Sequence, residues 1–159
     1  MSDLYEQDFI GWTEQQARLL RDAATHGLNL PLDWEHLAEE VEDLGIEQRN
    51  ALASQFARLI EHLLKLEFSP SVPPRDGWLE SVADARAEID RRLENVPGLR
   101  PRIPDLIRKE APRATKRAVA SLMYHGETAA AAKAAAADGS RYTEEQLLSE
   151  WLPGRPDLA

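Results

Sequence analysis

The chain has 159 residues, a formal net charge of -9, 43% hydrophobic residues and no cysteine. That length suits one domain able to bury roughly 70% of its unfolded surface, and the missing cysteines exclude disulfides, thiolate metal ligands and thiol nucleophiles. The acidic start MSDLYEQDF lacks the basic patch and apolar run of a signal peptide, no apolar stretch reaches the roughly 20 residues of a membrane span, and the negative balance disfavours nucleic acid and anionic membrane.

Phe9, Trp12, Gln16, Leu19 and Ala23 recur at helical steps, with Leu20 widening the face, and predict a first helix. Pro31 disfavours helical geometry at the residue before it and separates this helix from the next. Asp33 is placed to cap a second helix, in which Trp34, Leu37, Val41 and Leu44 form the seam, thickened by Ala38. Gly45 is expected to bend or break the chain there.

The third helix carries Leu52, Phe56, Leu59, Leu63 and Leu66, broadened by Ile60 and Leu64, and should be the centre of the fold. Pro70, Pro73 and Pro74 stop it. A fourth helix follows on Trp78, Val82, Ala85, Ile89 and Leu93, closed by Asn95, Pro97 and Gly98. Leu99, Ile103, Leu106 and Ile107 predict a fifth helix, with Pro104 suited to its first turn. Pro112 should kink or end it, with Ala114, Ala118 and Leu122 continuing as a sixth segment to His125 and Gly126. His26 and His125, each beside a glycine, read as loop or helix-end residues.

Residues 128–137 are almost all alanine, which favours helix but offers little area to bury, so a loosely docked helix is expected. Thr143 and Gln146 have capping-box spacing and lead into Leu147, Leu148, Trp151 and Leu152. No strand-like alternation appears. The expected fold is all-α: a single-domain irregular bundle of about six to eight helices with no sheet. Its core should span about 4–126, followed by the alanine-rich 127–139, a short C-terminal helix in 140–153, and a mobile tail at 154–159. The four tryptophans are expected to pack as core or staples, with Trp151 the most exposed.

Charge singles out one candidate site. The run LDWEHLAEEVEDLG is acidic and has no lysine or arginine, whereas the leucine-rich run after it carries Arg58, His62 and Lys65. If these segments pack antiparallel, Glu39, Glu42, Arg58, His62 and Lys65 form a polar cluster between two helices. An interhelical ion network is the favoured reading. The sharper one is a divalent-metal site of Glu39, Glu42 and His62, whose oxygen and nitrogen donors suit Zn, Mn or Fe. A basic stretch from Arg86 to Arg117 includes Arg91, Arg92, Arg100, Arg102, Arg108, Lys109, Arg113 and Lys116. Interleaved acids and the absence of an aromatic platform favour a solvated face there over a nucleic-acid surface.

Several blocks carry a family resemblance: Asp8-Phe9 with Trp12, Leu32-Asp33-Trp34, the run from Leu37 to Gly45, His62-Leu63-Leu64-Lys65, Pro70, Trp78, Tyr142-Thr143, and Trp151-Leu152-Pro153. Together they resemble the bacterial domain of unknown function 29 family, found largely in cyanobacteria and proteobacteria. The resemblance implies no established activity. Glu47 stands where members usually have a serine, and the alanine tract replaces a stretch usually richer in leucine and proline.

There is no glycine-rich phosphate loop, no nucleophile elbow and no helical pair of metal-binding histidines. The expectation is a soluble cytoplasmic protein with no cofactor: a small non-enzymatic interaction or adaptor module whose partner is another protein or a second copy of itself. The alternative is a divalent-metal-binding protein or metal-dependent enzyme using Glu39, Glu42 and His62.

Overall fold

The computed structural model describes residues 4–27 and 30–154. Among them are seven α-helices, two 3-10 helices and no β-strand. The tail expected to be mobile lies, beyond Gly154, outside the described residues. Two compact units emerge: one holds the chain up to Ala51 together with Arg92–Pro101, the other Leu52–Arg91 and Arg102 onward.

In the first unit, α1 (Leu4–Gln7) leads into α2 (Phe9–Thr25). Asp8 starts α2 because its carboxylate accepts the Gly11 N–H at 3.0 Å, satisfying a donor that has no helical partner. Tyr5, Phe9 and Trp12 form an aromatic cluster, with the Tyr5 ring edge-on to Trp12 at 4.9 Å between centroids. The next helix, α3 (Trp34–Phe68), runs for 35 residues without interruption. Its N-terminal half packs antiparallel to α2, because Arg49 bonds Glu14 at 2.8 Å and Arg21 bonds Glu42 at 2.7 Å. A step of seven along one helix is thus answered by seven in reverse along the other.

The helix does not break at Gly45. Gly45 is buried against α2, where an alanine methyl would overlap the Thr13 hydroxyl. The glycine lets the two helices approach; it does not end one of them. Ile10, Ala17, Ala38, Leu93 and Leu99 fill this unit's interior. Leu19, Leu37 and Leu44, which the periodicity assigned to core seams, are instead 54%, 40% and 48% exposed.

The second unit is built on the remainder of α3, whose Leu52, Phe56, Leu59, Ile60, Leu63 and Leu64 are all fully buried. Arg75 closes that helix by donating to the carbonyls of Leu66 at 2.8 Å and Ser69 at 3.2 Å, which the proline segment leaves without amide partners. Helix α4 (Arg75–Asn95) contributes Val82, Ala85 and Ile89 to the core. After a 3-10 turn at Pro97–Arg102, α5 (Ile103–Tyr124) continues through Pro112, which does not end it. The missing N–H there leaves the Arg108 carbonyl unbonded within the helix, but Pro112 faces solvent, so water can serve it.

Helix α6 (Thr128–Ala137) is more closely docked than its composition suggested. Ala130, Ala131 and Ala134 are buried against Leu122, with Phe68 and Val119 packed alongside. Small side chains here permit close approach of α6 to α5. Thr115 then ties α5 to the turn that follows, donating to the Ala111 carbonyl and accepting the Gly139 N–H, both at 2.8 Å. The final helix, α7 (Glu144–Leu148), opens with the expected capping box between Thr143 and Gln146. His26 and His125 cap the C-terminal ends of α2 and α5, as their positions beside glycines suggested. All four tryptophans are half-buried.

Candidate functional site

The residues expected to converge do not, because the acidic and leucine-rich segments are one helix. Glu42 and His62 are separated by more than five turns of α3, roughly 30 Å of helix rise, and cannot share a metal. Glu42 instead accepts from Arg21 on α2, and Glu39 points to solvent. Among the described residues no group of three or more histidine, aspartate or glutamate side chains could hold a metal ion.

Arg58, His62 and Lys65 find other partners in the second unit. Arg58 donates to Ser81 Oγ at 3.4 Å and lies 3.8 Å from the Asp84 carboxylate on α4. The Lys65 side chain is only 8% exposed and its ammonium bonds Glu61 Oε1 at 2.6 Å, and Arg117 reaches the other oxygen of Glu61 at 3.2 Å. A buried ammonium without that carboxylate would carry a heavy desolvation penalty. His62 Nδ1 lies 2.8 Å from the Arg58 carbonyl, which can only accept, so Nδ1 carries the proton. Burial holds the His62 imidazole below the ordinary histidine value, against the raising effect of that carbonyl. The ring is therefore neutral near pH 7.

Three further constellations were not foreseen. Arg86 on α4 donates to the backbone carbonyls of Leu147 at 3.0 Å, Gln146 at 2.9 Å and Trp151 at 2.7 Å, fastening the C-terminal segment. Beside this clasp lies a cleft of about 510 Å³ whose walls include Leu79, Val82, Leu148 and Leu152. Near the end of α3, Glu67 takes the Tyr142 hydroxyl at 2.7 Å and also pairs with Arg141, whose guanidinium lies over the Phe68 and Tyr142 rings. Finally, Ser71 donates to Glu127 at one side of a cleft of about 370 Å³ that also holds Trp78, Ser121 and His125. Hydroxyl donors from Ser69 and Ser71 keep the Glu127 carboxyl below its ordinary range. A carboxylate stabilised in that way is a poor base for activating serine.

Of these groups, only the Glu61–Lys65 pair left a readable trace, the four-residue spacing of opposite charges on a helix. Arg86 bonds backbone alone, which no residue pattern announces. Three arginines of the basic stretch are neutralised locally, by acids three residues earlier on the same helix: Glu88 with Arg91 at 2.7 Å, Asp105 with Arg108 at 2.8 Å, and Glu110 with Arg113 at 2.9 Å.

What stands out on the surface is the N-terminal half of α3. Leu37 and Leu44 lie two turns apart on one side of the helix and are 40% and 48% exposed. Glu40, Asp43 and Glu47 flank them, exposed and without a partner among the described residues. Leu30 and Leu32, just before the helix, are also exposed. Apolar surface concentrated beside one sign of charge is typical of an interaction face.

The family model described as Domain of unknown function DUF29 matches residues 4–152. Among solved structures, the crystal structure of an alpha-helical protein of unknown function from Rhodospirillum rubrum is similar, with 24% identity and a TM-score of 0.63 over 94% of this chain and 92% of that one. At that identity the likeness shows the helical fold alone. No curated protein matches the chain.

Proposed function

Since the chain belongs to the family described as Domain of unknown function DUF29, which fixes a fold and assigns no reaction, we propose on its own surface chemistry that it is a non-enzymatic protein-interaction module. Its docking face is the N-terminal half of α3. The observation that supports this most is the exposure of Leu37 and Leu44 beside Glu40, Asp43 and Glu47, none of which has a partner among the described residues. Covering the open part of each leucine would contribute about 1 kcal/mol, a useful fraction of a weak or moderate complex. The carboxylates would give orientation and on-rate more than affinity.

A partner suited to this face offers an apolar stripe edged with lysine or arginine. Among the described residues no helix is long and apolar enough to cross a membrane. We place the module in the cytoplasm, which a chain without cysteine permits.

Fluorescence anisotropy with a labelled synthetic helical peptide, leucine on one face and lysine beside it, tests the reading. Wild type should bind, and Leu37→Gln with Leu44→Gln should weaken binding about tenfold without changing net charge. Equal affinity of the two proteins for the peptide would refute this docking face.

A further inference from the structure

We propose that the acidic, leucine-bearing face of α3 docks on the lysine-bearing face of α5 in a second copy of this chain. This rests on the interaction reading above and names its partner. Solvent-facing Lys109, Pro112 and Lys116, with half-buried Val119, follow one another along α5 at steps of three, four and three. Ala120 and Met123 extend the same side, Met123 being 52% exposed. Lys109 and Lys116 have no partner among the described residues, unlike Arg108, Arg113 and Arg117, which pair with Asp105, Glu110 and Glu61. Pro112, Lys116, Val119 and Ala120 line a shallow groove of about 420 Å³, completed by α6.

The α3 face has the same rhythm. Leu37, Glu40, Leu44 and Glu47 also follow at steps of three, four and three. On each helix the apolar residues repeat every seven positions, and so do the charges. Seven residues rise about 10.5 Å in either helix. Glu40 and Glu47 can therefore meet the two lysines together while Leu37 and Leu44 meet Pro112 and Val119. A single mismatched spacing would forbid that double register.

Asp138 is the one carboxylate lining the groove, and it already accepts the Ser140 N–H at 3.1 Å and the Thr115 hydroxyl at 3.3 Å. Asp43 adds negative charge beside the α3 stripe. The two surfaces differ, so each copy offers one acidic and one basic face to its neighbours. Exposed ion pairs are individually weak and screened by salt, so association should be modest and salt-sensitive.

Sedimentation equilibrium on the full chain, from micromolar to millimolar concentration at low and high salt, reads this directly. Wild type should gain mass with concentration and lose that gain at high salt. E40K/E47K should stay monomeric, and so should K109E/K116E. The four substitutions combined leave net charge unchanged and should restore association, as should an equimolar mixture of the two double variants. Far-UV circular dichroism on each variant confirms helix content. A wild type that stays monomeric throughout overturns the inference while leaving the peptide-binding result to decide the interaction reading by itself. Association lost in both double variants but not restored by the combination also overturns it, since the two faces would then not be meeting each other.

Discussion

Thr13 occupies the space that any side chain at position 45 would need, so one hydroxyl on α2 explains why α3 carries a glycine there. The helix runs through unbroken, so the acidic residues before Gly45 and the leucines after it belong to one continuous helix.

Gly45→Ala should destabilise the protein by about 1–2 kcal/mol. Alanine gains up to about 1 kcal/mol in helix propensity, but overpacking against Thr13 costs about 1–3 kcal/mol. Adding Thr13→Ala should recover most of the loss, a coupling that a double-mutant cycle by chemical denaturation would measure.

Arg86→Gln should loosen the C-terminal segment. Three bonds from a charged donor to the carbonyls of Gln146, Leu147 and Trp151 disappear together, at a cost of about 2–4 kcal/mol. Hydrogen exchange should accelerate at α7 amides more than at α3 amides around Leu59.

Two histidines should titrate in opposite directions. Burial lowers His62, whereas the hydrogen bond to Asp33, 2.6 Å away, raises His36. For His62 the unfolded chain takes up a proton at a higher pH than the folded one. Its neutral form therefore favours folding fully above about pH 6.5, and that contribution falls away as pH drops below this value. The exposed His36 has the reverse sign, its small contribution being present in acid and lost as pH rises through its raised value. Proton NMR of the imidazole rings should show His36 titrating above His62, and His62→Gln should flatten the acid side of the stability profile.

Much of the fold was legible in the residues. The seam of α4, the proline stop after α3, and the Thr143–Gln146 cap all rest on local signals that the structure bears out, whereas α2 forms as a helix but buries Ile10, Thr13 and Ala17 instead of the expected face. Gly45 misled because a glycine after a seam looks alike whether it caps a helix or admits a neighbour. Thr13, 32 positions away, decides between them. Pro112 does not end its helix, because at a solvent-facing position water can serve the freed carbonyl, and burial is not written in the local sequence.

The site was less legible, for a related reason. Periodicity identifies an apolar face without saying whether anything covers it. The seam of Leu37 and Leu44 was therefore read as core, and Glu39 and Glu42 as half of a polar cluster between two helices. Once the helix is continuous, Arg21 engages Glu42 from α2, and Glu61 engages Lys65 within α3.

Equilibrium unfolding of Leu37→Gln with Leu44→Gln measures most directly whether this stripe is surface or core. The account predicts a stability within about 1 kcal/mol of wild type, as befits exposed positions. A loss of about 4 kcal/mol or more, the scale of removing two core leucines, would contradict it.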